Sequence, residues 1–190
     1  MDKDDKGMKK KKERWRRIIE GDYGFDDIIN FQYDERQEMK KLVHEILDNF
    51  PDVWVLGKPH PEATKSTYSD LIHRDRFTLI YGDFIQNLLS ITNLLIHQKC
   101  TTMLESWLKN VPALNFGVTK LNNIWKKEVD CGPHNATSVE EAIHKIPELL
   151  KESTRRKFLE EEPYSSEIEK WLGIDSNEPS TQELINKLHA

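Results

Sequence analysis

Two threonines and a glutamate stand at the start of a predicted helix near the middle of the chain. Thr101 and Thr102 end a polar loop, and Glu105 follows one helical turn later. Threonine hydroxyls, the unpaired N–H groups of a first helical turn and the positive end of the helix dipole can together bind one anionic oxygen. The glutamate lies within reach of a ribose hydroxyl pair. This pattern predicts a turn that binds a nucleotide.

The same spacing also fits a purely structural motif. In a capping box, a Ser or Thr begins a helix and a Glu three positions later returns to its backbone N–H. Thr102 and Glu105 have that spacing, as do Ser138 and Glu141, which we interpret as structural. For Thr102 and Glu105 the sequence leaves both interpretations open.

Two histidines follow predicted strands. His97 comes directly after an apolar run, and His60 lies between two prolines that restrict the backbone. Open α/β sheets bind ligands at the carboxyl ends of their strands, so both imidazoles line one cleft if the two strands are neighbours. A single histidine there is more often structural, whereas a pair favours a functional role. Lys58 and Lys99 add positive charge suited to a diphosphate. No third ligand stands at short spacing, so we predict no metal site.

Short apolar runs near residues 53, 77, 94 and 113 are predicted strands, and helical segments separate them. This alternation predicts an α/β fold, a Rossmann-like parallel sheet with helices on both faces. The first run is continuous, which predicts a strand buried on both faces. Apolar residues at three- and four-residue spacing predict a helix over 34–49. Asn110 is expected to end the helix that begins at Thr102, because asparagine tolerates left-handed geometry.

Weaker patterns complete the assignment. Residues 28–31 have marginal strand character, residues 63–74 form a loop or short helix, and residues 128–131 are a candidate fifth strand. A helix is predicted to follow Ser138. The sequence Asn135-Ala-Thr matches a glycosylation sequon, which we interpret as coincidence in a chain without a secretory signal.

Charge divides the chain into three parts: a basic lead-in over 1–30, the α/β domain over 31–150 and a helical extension over 151–190. Residues 1–17 carry a net charge of +5, which leaves −10 for the remainder. An acidic body argues against nucleic-acid binding. The extension includes a predicted short helix that ends at Trp171 and Leu172, and we expect it to pack on the sheet domain or on another molecule.

Composition sets the class of protein. With 190 residues, 37% hydrophobic and 32% charged, the chain fits one globular domain with a modest core. Its two cysteines have neither a CxxC nor a zinc-ligand spacing, which indicates a reducing compartment. No apolar run is long enough for a transmembrane helix or a signal peptide. We therefore expect a cytoplasmic protein with at most peripheral membrane association.

Two motifs, taken in order, resemble a known enzyme class. They are Lys58-Pro-His-Pro-Glu62 and His97-Gln-Lys-Cys-Thr-Thr-Met-Leu-Glu105-Ser-Trp-Leu-Lys-Asn-Val-Pro112. They resemble the carboxyl-terminal half of GT-B glycosyltransferases, and more narrowly the bacterial surface carbohydrate (capsule and lipopolysaccharide) biosynthesis proteins of the UDP-N-acetylglucosamine 2-epimerase superfamily. In these families an HP or HPE follows one strand, and a hydroxyl-rich loop and a helix with a glutamate come later. The resemblance covers roughly residues 33–150.

This resemblance implies a role for each candidate residue. Thr101 and Thr102 would hold the donor diphosphate, Glu105 the ribose, and His60 and His97 would line the phosphate and leaving-group side. Lys58 and Lys99 lie on the same rim. The substrate would be a nucleotide-sugar, with no further cofactor, and the acceptor a glycan or a lipid-linked glycan.

The resemblance also implies a second domain. GT-B enzymes need an N-terminal Rossmann-like half that brings the acceptor and usually the general base. We therefore expect a fragment, or one half of a two-part enzyme, that is inactive alone. Two other hypotheses stay open: half of a sugar-nucleotide epimerase, and a non-catalytic Rossmann-like scaffold module.

Overall fold

The computed structural model describes residues 25–60, 65–82, 84–98, 100–117 and 134–151, which have an α/β fold. The helices are α1 (Phe25–Asn49), α2 (Ile85–Leu89), α3 (Thr102–Leu108) and α4 (Val139–Leu149), with a 3₁₀ helix over Lys65–Tyr68. The strands are β1 (Val55–Gly57), β2 (Phe77–Leu79), β3 (Leu95–His97), β4 (Ala113–Phe116) and β5 (Asn135–Ala136).

The strands of the described residues form two hydrogen-bonded sheets, and every pairing is parallel. β1 pairs with β2, whereas β4 lies between β3 and β5. His97, Asn115 and Asn135 share one register position across the three-stranded sheet. The predicted α/β class with parallel strands is therefore confirmed.

Helix α1 packs against both sheets. Leu42 and Ile46 belong to a core cluster with residues of β4, β5 and α4. Val43 and Leu47, each one position further along, belong to a second cluster that contains Phe77 of β2. Because two adjacent stripes of one helix are apolar, α1 contributes to both core clusters and packs against both sheets.

Helix α1 also begins earlier than the sequence pattern predicts, at Phe25 in place of residue 34. Residues 28–31 are helical, so the prediction of a marginal strand there is wrong. A short, mainly apolar run does not distinguish a strand from a helix segment. Residues 25–30 of the predicted lead-in thus belong to α1, and residues 1–24 lie outside the described residues.

The side chain of Arg76 caps the carboxyl end of α1. Its guanidinium donates hydrogen bonds to the carbonyl oxygens of Leu47, Phe50 (2.7 Å) and Val53 (2.9 Å). A cation is favourable there because the last carbonyls of a helix carry partial negative charge. The same bonds hold Arg76 at a φ of 64°, in the left-handed region that an arginine rarely adopts.

Strand β1 is not buried on both faces, so that prediction is wrong. Val55 packs against the α1 core, but Trp54 is 70% exposed and Leu56 is 36% exposed on the opposite face. Strand β4, by contrast, is buried at all four of its positions. A continuous apolar run therefore marks a strand but does not specify whether a second layer covers it.

Helix α3 ends as predicted at Asn110, whose φ is 55°. The N–H of Asn110 donates to the carbonyl of Trp107 (2.9 Å), and the N–H of Val111 donates to the carbonyl of Ser106 (2.8 Å). These two bonds are the Schellman pattern, which satisfies the last helical carbonyls. The chain then enters β4 directly, as the sequence indicates.

The sequence pattern does not predict strand β5, because two residues are too few to show a strand periodicity. Asn135 and Ala136 pair with β4 through Asn115 and Phe116. Helix α4 follows Ser138 as predicted. The candidate strand over 128–131 and the helical extension beyond residue 151 lie outside the described residues. Within the described part of the chain, no helix has the length and apolar character to span a membrane.

Candidate functional site

His97 is the last residue of β3 and is only 6% exposed. Its Nδ1 accepts a hydrogen bond from the backbone N–H of Cys100 at 3.3 Å. Burial lowers the pKa of His97 to about 4, so the imidazole is neutral near pH 7. Because Nδ1 accepts a bond, the single proton resides on Nε2.

The Nε2–H of His97 is a buried donor. The described residues provide no acceptor for it. A buried donor without a partner loses the free energy of its bonds to water, typically about 1–3 kcal/mol. Such groups are rare in folded proteins and often indicate a ligand or catalytic role. His97 is therefore the strongest candidate for ligand contact in the described residues.

A row of polar side chains continues from His97 across the sheet. Asn115 of β4 lies beside His97 in the register, is 4% exposed, and donates from Nδ2 to Oδ1 of Asn135 on β5 at 2.8 Å. Leu95 and Ala113, two positions earlier on β3 and β4, pack against α3. Because side chains alternate along a strand, the polar row lies on the α3 face of the sheet.

The sequence prediction did not include Asn115 or Asn135 in the site. A signal was present, because Asn115 interrupts the apolar run Ala-Leu-Asn-Phe of a buried strand. A polar residue inside such a strand needs a hydrogen-bonding partner. The partner was not visible in the sequence, since Asn135 is twenty residues away.

The loop after β3 is bound to its surroundings at both ends. Gln98 donates from its side-chain amide to the carbonyl of Glu35 on α1 at 3.2 Å. Cys100 Sγ lies 2.8 Å from Thr102 Oγ1, and Thr101 is exposed without a capping bond. Cys100 therefore contacts His97 through its backbone N–H and Thr102 through its thiol, whereas Lys99 lies outside the described residues.

The first turn of α3 offers fewer N–H groups to an anion than the sequence suggested. The N–H of Met103 donates to the carbonyl of Cys100 (3.2 Å), and the N–H of Leu104 donates to the carbonyl of Thr101 (3.0 Å). These two bonds have the 3₁₀ pattern, in which an N–H donates to the carbonyl three residues earlier, and they occupy two of the four backbone N–H donors at the helix start. An anion would be bound mainly by side chains and by the remaining amides.

Glu105 does not form a capping box. Its carboxylate accepts a hydrogen bond from the side-chain amide of Gln86 on α2 at 2.6 Å. The N-cap position of α3 is Thr101, one residue before the start that the capping box requires. The structure therefore contains no capping box at Thr102 and Glu105.

Lys58, Pro59 and His60 follow β1, as predicted. Pro59 is buried, and Lys58 and His60 on either side of it are exposed. Within the described residues β1 and β3 share no β ladder. Val55 of β1 and Ile96 of β3 nevertheless pack against one core cluster, so both strands contact the same helical layer.

No protein-family model, curated protein or solved structure matches this chain. The geometry around His97 is therefore the basis for a functional proposal.

Two further features lie away from His97. A groove of about 460 Å³ between α1 and the start of α4 is lined by residues that include His44 and Ser138. None of the sequence-predicted site residues lines it. In the described part of the chain, no three His, Cys, Asp or Glu side chains come together as metal ligands.

Proposed function

We propose that this chain is the nucleotide-sugar-binding part of a metal-independent GT-B glycosyltransferase of surface polysaccharide synthesis, with a Rossmann-like sheet. The observation that carries the proposal is the buried, neutral imidazole of His97, whose Nε2–H has no acceptor among the described residues. It lies at the carboxyl end of a parallel strand, where open α/β sheets bind their ligands.

A nucleotide diphosphate suits this arrangement chemically. A neutral imidazole donates a hydrogen bond to a phosphate oxygen without a change of protonation near pH 7. The exposed Thr101 hydroxyl and the nearby Thr102 hydroxyl supply further donors. Lys58 and Lys99 would add positive charge at the rim, and Glu105 would accept hydrogen bonds from the ribose in exchange for the one from Gln86.

In the proposed reaction a sugar moves from its nucleotide to a glycan or lipid-linked acceptor. The bond between the anomeric carbon and the diphosphate breaks, the carbon develops oxocarbenium character, and negative charge grows on the leaving phosphate. Donors already aimed at that phosphate bind it more strongly as the charge grows, which lowers the barrier. His60 and His97 fill this role. The acceptor and its general base would come from a second GT-B half.

Calorimetric titration with UDP- and CMP-sugars tests the proposal. We expect weak binding, in the millimolar range, and no turnover by this chain alone. Replacement of Thr101, Thr102 and Glu105 by alanine should abolish the binding while the circular dichroism spectrum stays unchanged. No heat of binding at millimolar ligand would contradict a nucleotide-sugar site and favour a scaffold module.

A matched control exists at the start of α4. Thr137 and Glu140 are an exposed threonine and an exposed glutamate that lie near a helix start without being candidate site residues. The Thr137→Ala, Glu140→Ala double variant should bind the nucleotide-sugar as the unchanged chain does. Equal losses in both sets of variants would show that the effect is general destabilisation.

A further inference from the structure

The arginines of the described residues differ in how they use their guanidinium groups. Arg74 pairs with Asp48, and Arg76 donates from both terminal nitrogens to carbonyl oxygens at the end of α1. Arg36, in α1, donates from Nε to the carbonyl of Gln32 at 3.0 Å. Among the described residues, its two terminal nitrogens have no hydrogen-bond acceptor and its charge has no ion-pair partner. The N–H donors of both terminal nitrogens are therefore available to a ligand.

Lys40, one helical turn after Arg36, shows what Arg36 lacks. The Nζ of Lys40 lies 2.8 Å from Oδ1 of Asp70, so the chain itself supplies an anion at that turn. Residues four positions apart share one face of a helix, so Arg36 lies on the same side of α1 as Lys40. Arg36 is half-buried. A partly buried charge favours an oppositely charged partner, because burial weakens its hydration.

Two tyrosine hydroxyls lie near this guanidinium. Tyr68 ends the 3₁₀ helix, and Tyr81 follows β2. Burial raises the pKa of Tyr68, the charge of Arg36 lowers it and Tyr81 raises it, so both groups lie within electrostatic range of the Tyr68 phenol. The net effect is a raised pKa, so Tyr68 keeps its proton near pH 7 and can donate a hydrogen bond. Tyr68 is half-buried, and Tyr81 is 42% exposed.

This group lies toward the edge of the sheets at which α/β folds bind ligands. Arg76, at the amino end of β2, contacts the last residues of α1. The carbonyl of Glu35, next to Arg36, accepts a hydrogen bond from Gln98, directly after the end of β3. Helix α1 therefore runs from the carboxyl ends of the strands toward their amino ends. Arg36 and Tyr81 are both near the carboxyl ends, where open α/β sheets bind their ligands.

We propose that Arg36, Tyr68 and Tyr81 form an anion-binding site, which we name the Arg36 site, for the phosphate or carboxylate group of a small ligand. The planar guanidinium matches two oxygens of either group through parallel hydrogen bonds. The tyrosine hydroxyls donate to the same group. Asp70 is paired with Lys40, which reduces its repulsion of the anion. This inference does not depend on the proposed nucleotide-sugar function.

Titration of the full chain with inorganic phosphate, followed by NMR spectroscopy, tests the Arg36 site. The probe is the Nε–H signal of each arginine, and Arg36→Lys identifies the signal of Arg36 by its disappearance. At pH 6.5 and constant ionic strength, we expect the Arg36 signal to shift and saturate with a dissociation constant of about 1–10 mM. Arg74, already paired with Asp48, is the internal control, and its signal should shift about fivefold less.

Two tyrosine variants and a second anion sharpen the test. Tyr68→Phe and Tyr81→Phe each remove one hydroxyl and keep the ring, and each should weaken phosphate binding by about threefold. Circular dichroism verifies the fold of both variants. Acetate is the second titrant. Tighter binding of phosphate would identify a phosphorylated ligand, and tighter binding of acetate would identify a carboxylic acid.

Three results would overturn the Arg36 site. The first is the absence of saturation with either anion. The second is an equal shift of the Arg36 and Arg74 signals, because it would indicate general screening of charge. The third is an unchanged phosphate affinity in both tyrosine variants, because the hydroxyls would then not contact the anion.

Discussion

Helices α3 and α4 begin with the same sequence pattern, a hydroxyl residue followed three positions later by glutamate, yet their starts are stabilised differently. At α4, Ser138 Oγ accepts the N–H of Glu141 at 3.1 Å, and the Glu141 carboxylate accepts the N–H of Thr137 at 2.8 Å. In α3, the Glu105 carboxylate accepts a hydrogen bond from Gln86 of α2. Side chains therefore cap the start of α4, whereas the glutamate of α3 makes a tertiary contact in place of a cap.

The difference has a physical cause. The segment before α3 carries an internal bond from the Cys100 N–H to Nδ1 of His97, a residue of the preceding strand. That bond and the tight carbonyl bonds of Cys100 and Thr101 shape the turn without a side-chain cap. The Thr102 hydroxyl and the Glu105 carboxylate are then not needed for capping. Side chains that are not needed to cap the helix can contact a ligand if they exchange their present partners for it.

The largest expected effect concerns His97. Its pKa in the folded chain is about 4, below the ordinary value of 6.5, so the unfolded chain binds more protons between these values. Stability should therefore be complete above pH 6.5 and decrease by at most about 3 kcal/mol as the pH falls to 4. Urea unfolding across this range measures it.

The control for His97 is His97→Leu, which removes the titrating group while an apolar side chain fills its volume. Between pH 6.5 and 4, the free energy of unfolding of the variant should decrease less than that of the unchanged chain, by the amount that His97 contributes. An unchanged pH dependence in the variant would show that His97 is accessible to protons in the folded chain and would weaken the site assignment.

An intermediate effect separates the two helix starts directly. Ser138→Ala removes a side-chain cap and should lower the free energy of unfolding by about 1 kcal/mol. Thr101 is at the N-cap position of α3, where no side-chain cap bond exists. Thr101→Ala should therefore change the free energy of unfolding by less than about 0.5 kcal/mol. Urea unfolding of both variants at pH 7 makes the comparison. Equal losses would mean that Thr101 caps α3 in solution.

The smallest expected effect concerns the two glutamates. Hydrogen bonds from Lys145, and then from Thr137, lower the pKa of Glu141 to about 2. The contribution of the ionised Glu141 carboxylate to the free energy of unfolding should be present above pH 4.5 and lost as the pH falls toward 2. Because the pair is exposed, Glu141→Gln should cost only about 0.5 kcal/mol at pH 7.

Carbon-13 titration of the Glu141 carboxyl group checks this prediction, with Lys145→Met as the variant that should raise its pKa toward the ordinary value. A Glu141 pKa that does not respond to Lys145→Met would contradict the observed ion pair. Glu105→Gln is the matched change at α3, where no lysine of the described residues pairs with the carboxylate, and it should lower the free energy of unfolding at pH 7 by less than Glu141→Gln does.

Much of the element order could be predicted from the sequence, because apolar periodicity is a local property. The runs near 53, 77, 94 and 113 each contain or adjoin a strand, and the helix after Ser138 begins where its cap indicates. The errors arose where a short segment fits two structures. Residues 28–31 are helical, and Asn135 with Ala136 forms a strand only because β4 provides a partner.

The candidate site was predicted in part. The sequence placed His97 at the end of a strand and Thr101 and Thr102 after it, and the structure brings this loop together. It did not indicate that His97 is buried or that Asn115 lies beside it. Burial depends on which elements cover a residue, and those elements come from distant parts of the chain.

The sequence by itself determined the end of α3 at Asn110, the start of α4 at Ser138 and the alternation of strands with helices. These features depend on bonds between residues a few positions apart. Only the tertiary structure decided the exposed face of β1, the burial of His97 and the partners of Asn115 and Glu105. Those partners lie 20 and 19 residues away, and no local pattern encodes the free energy of contacts over that separation.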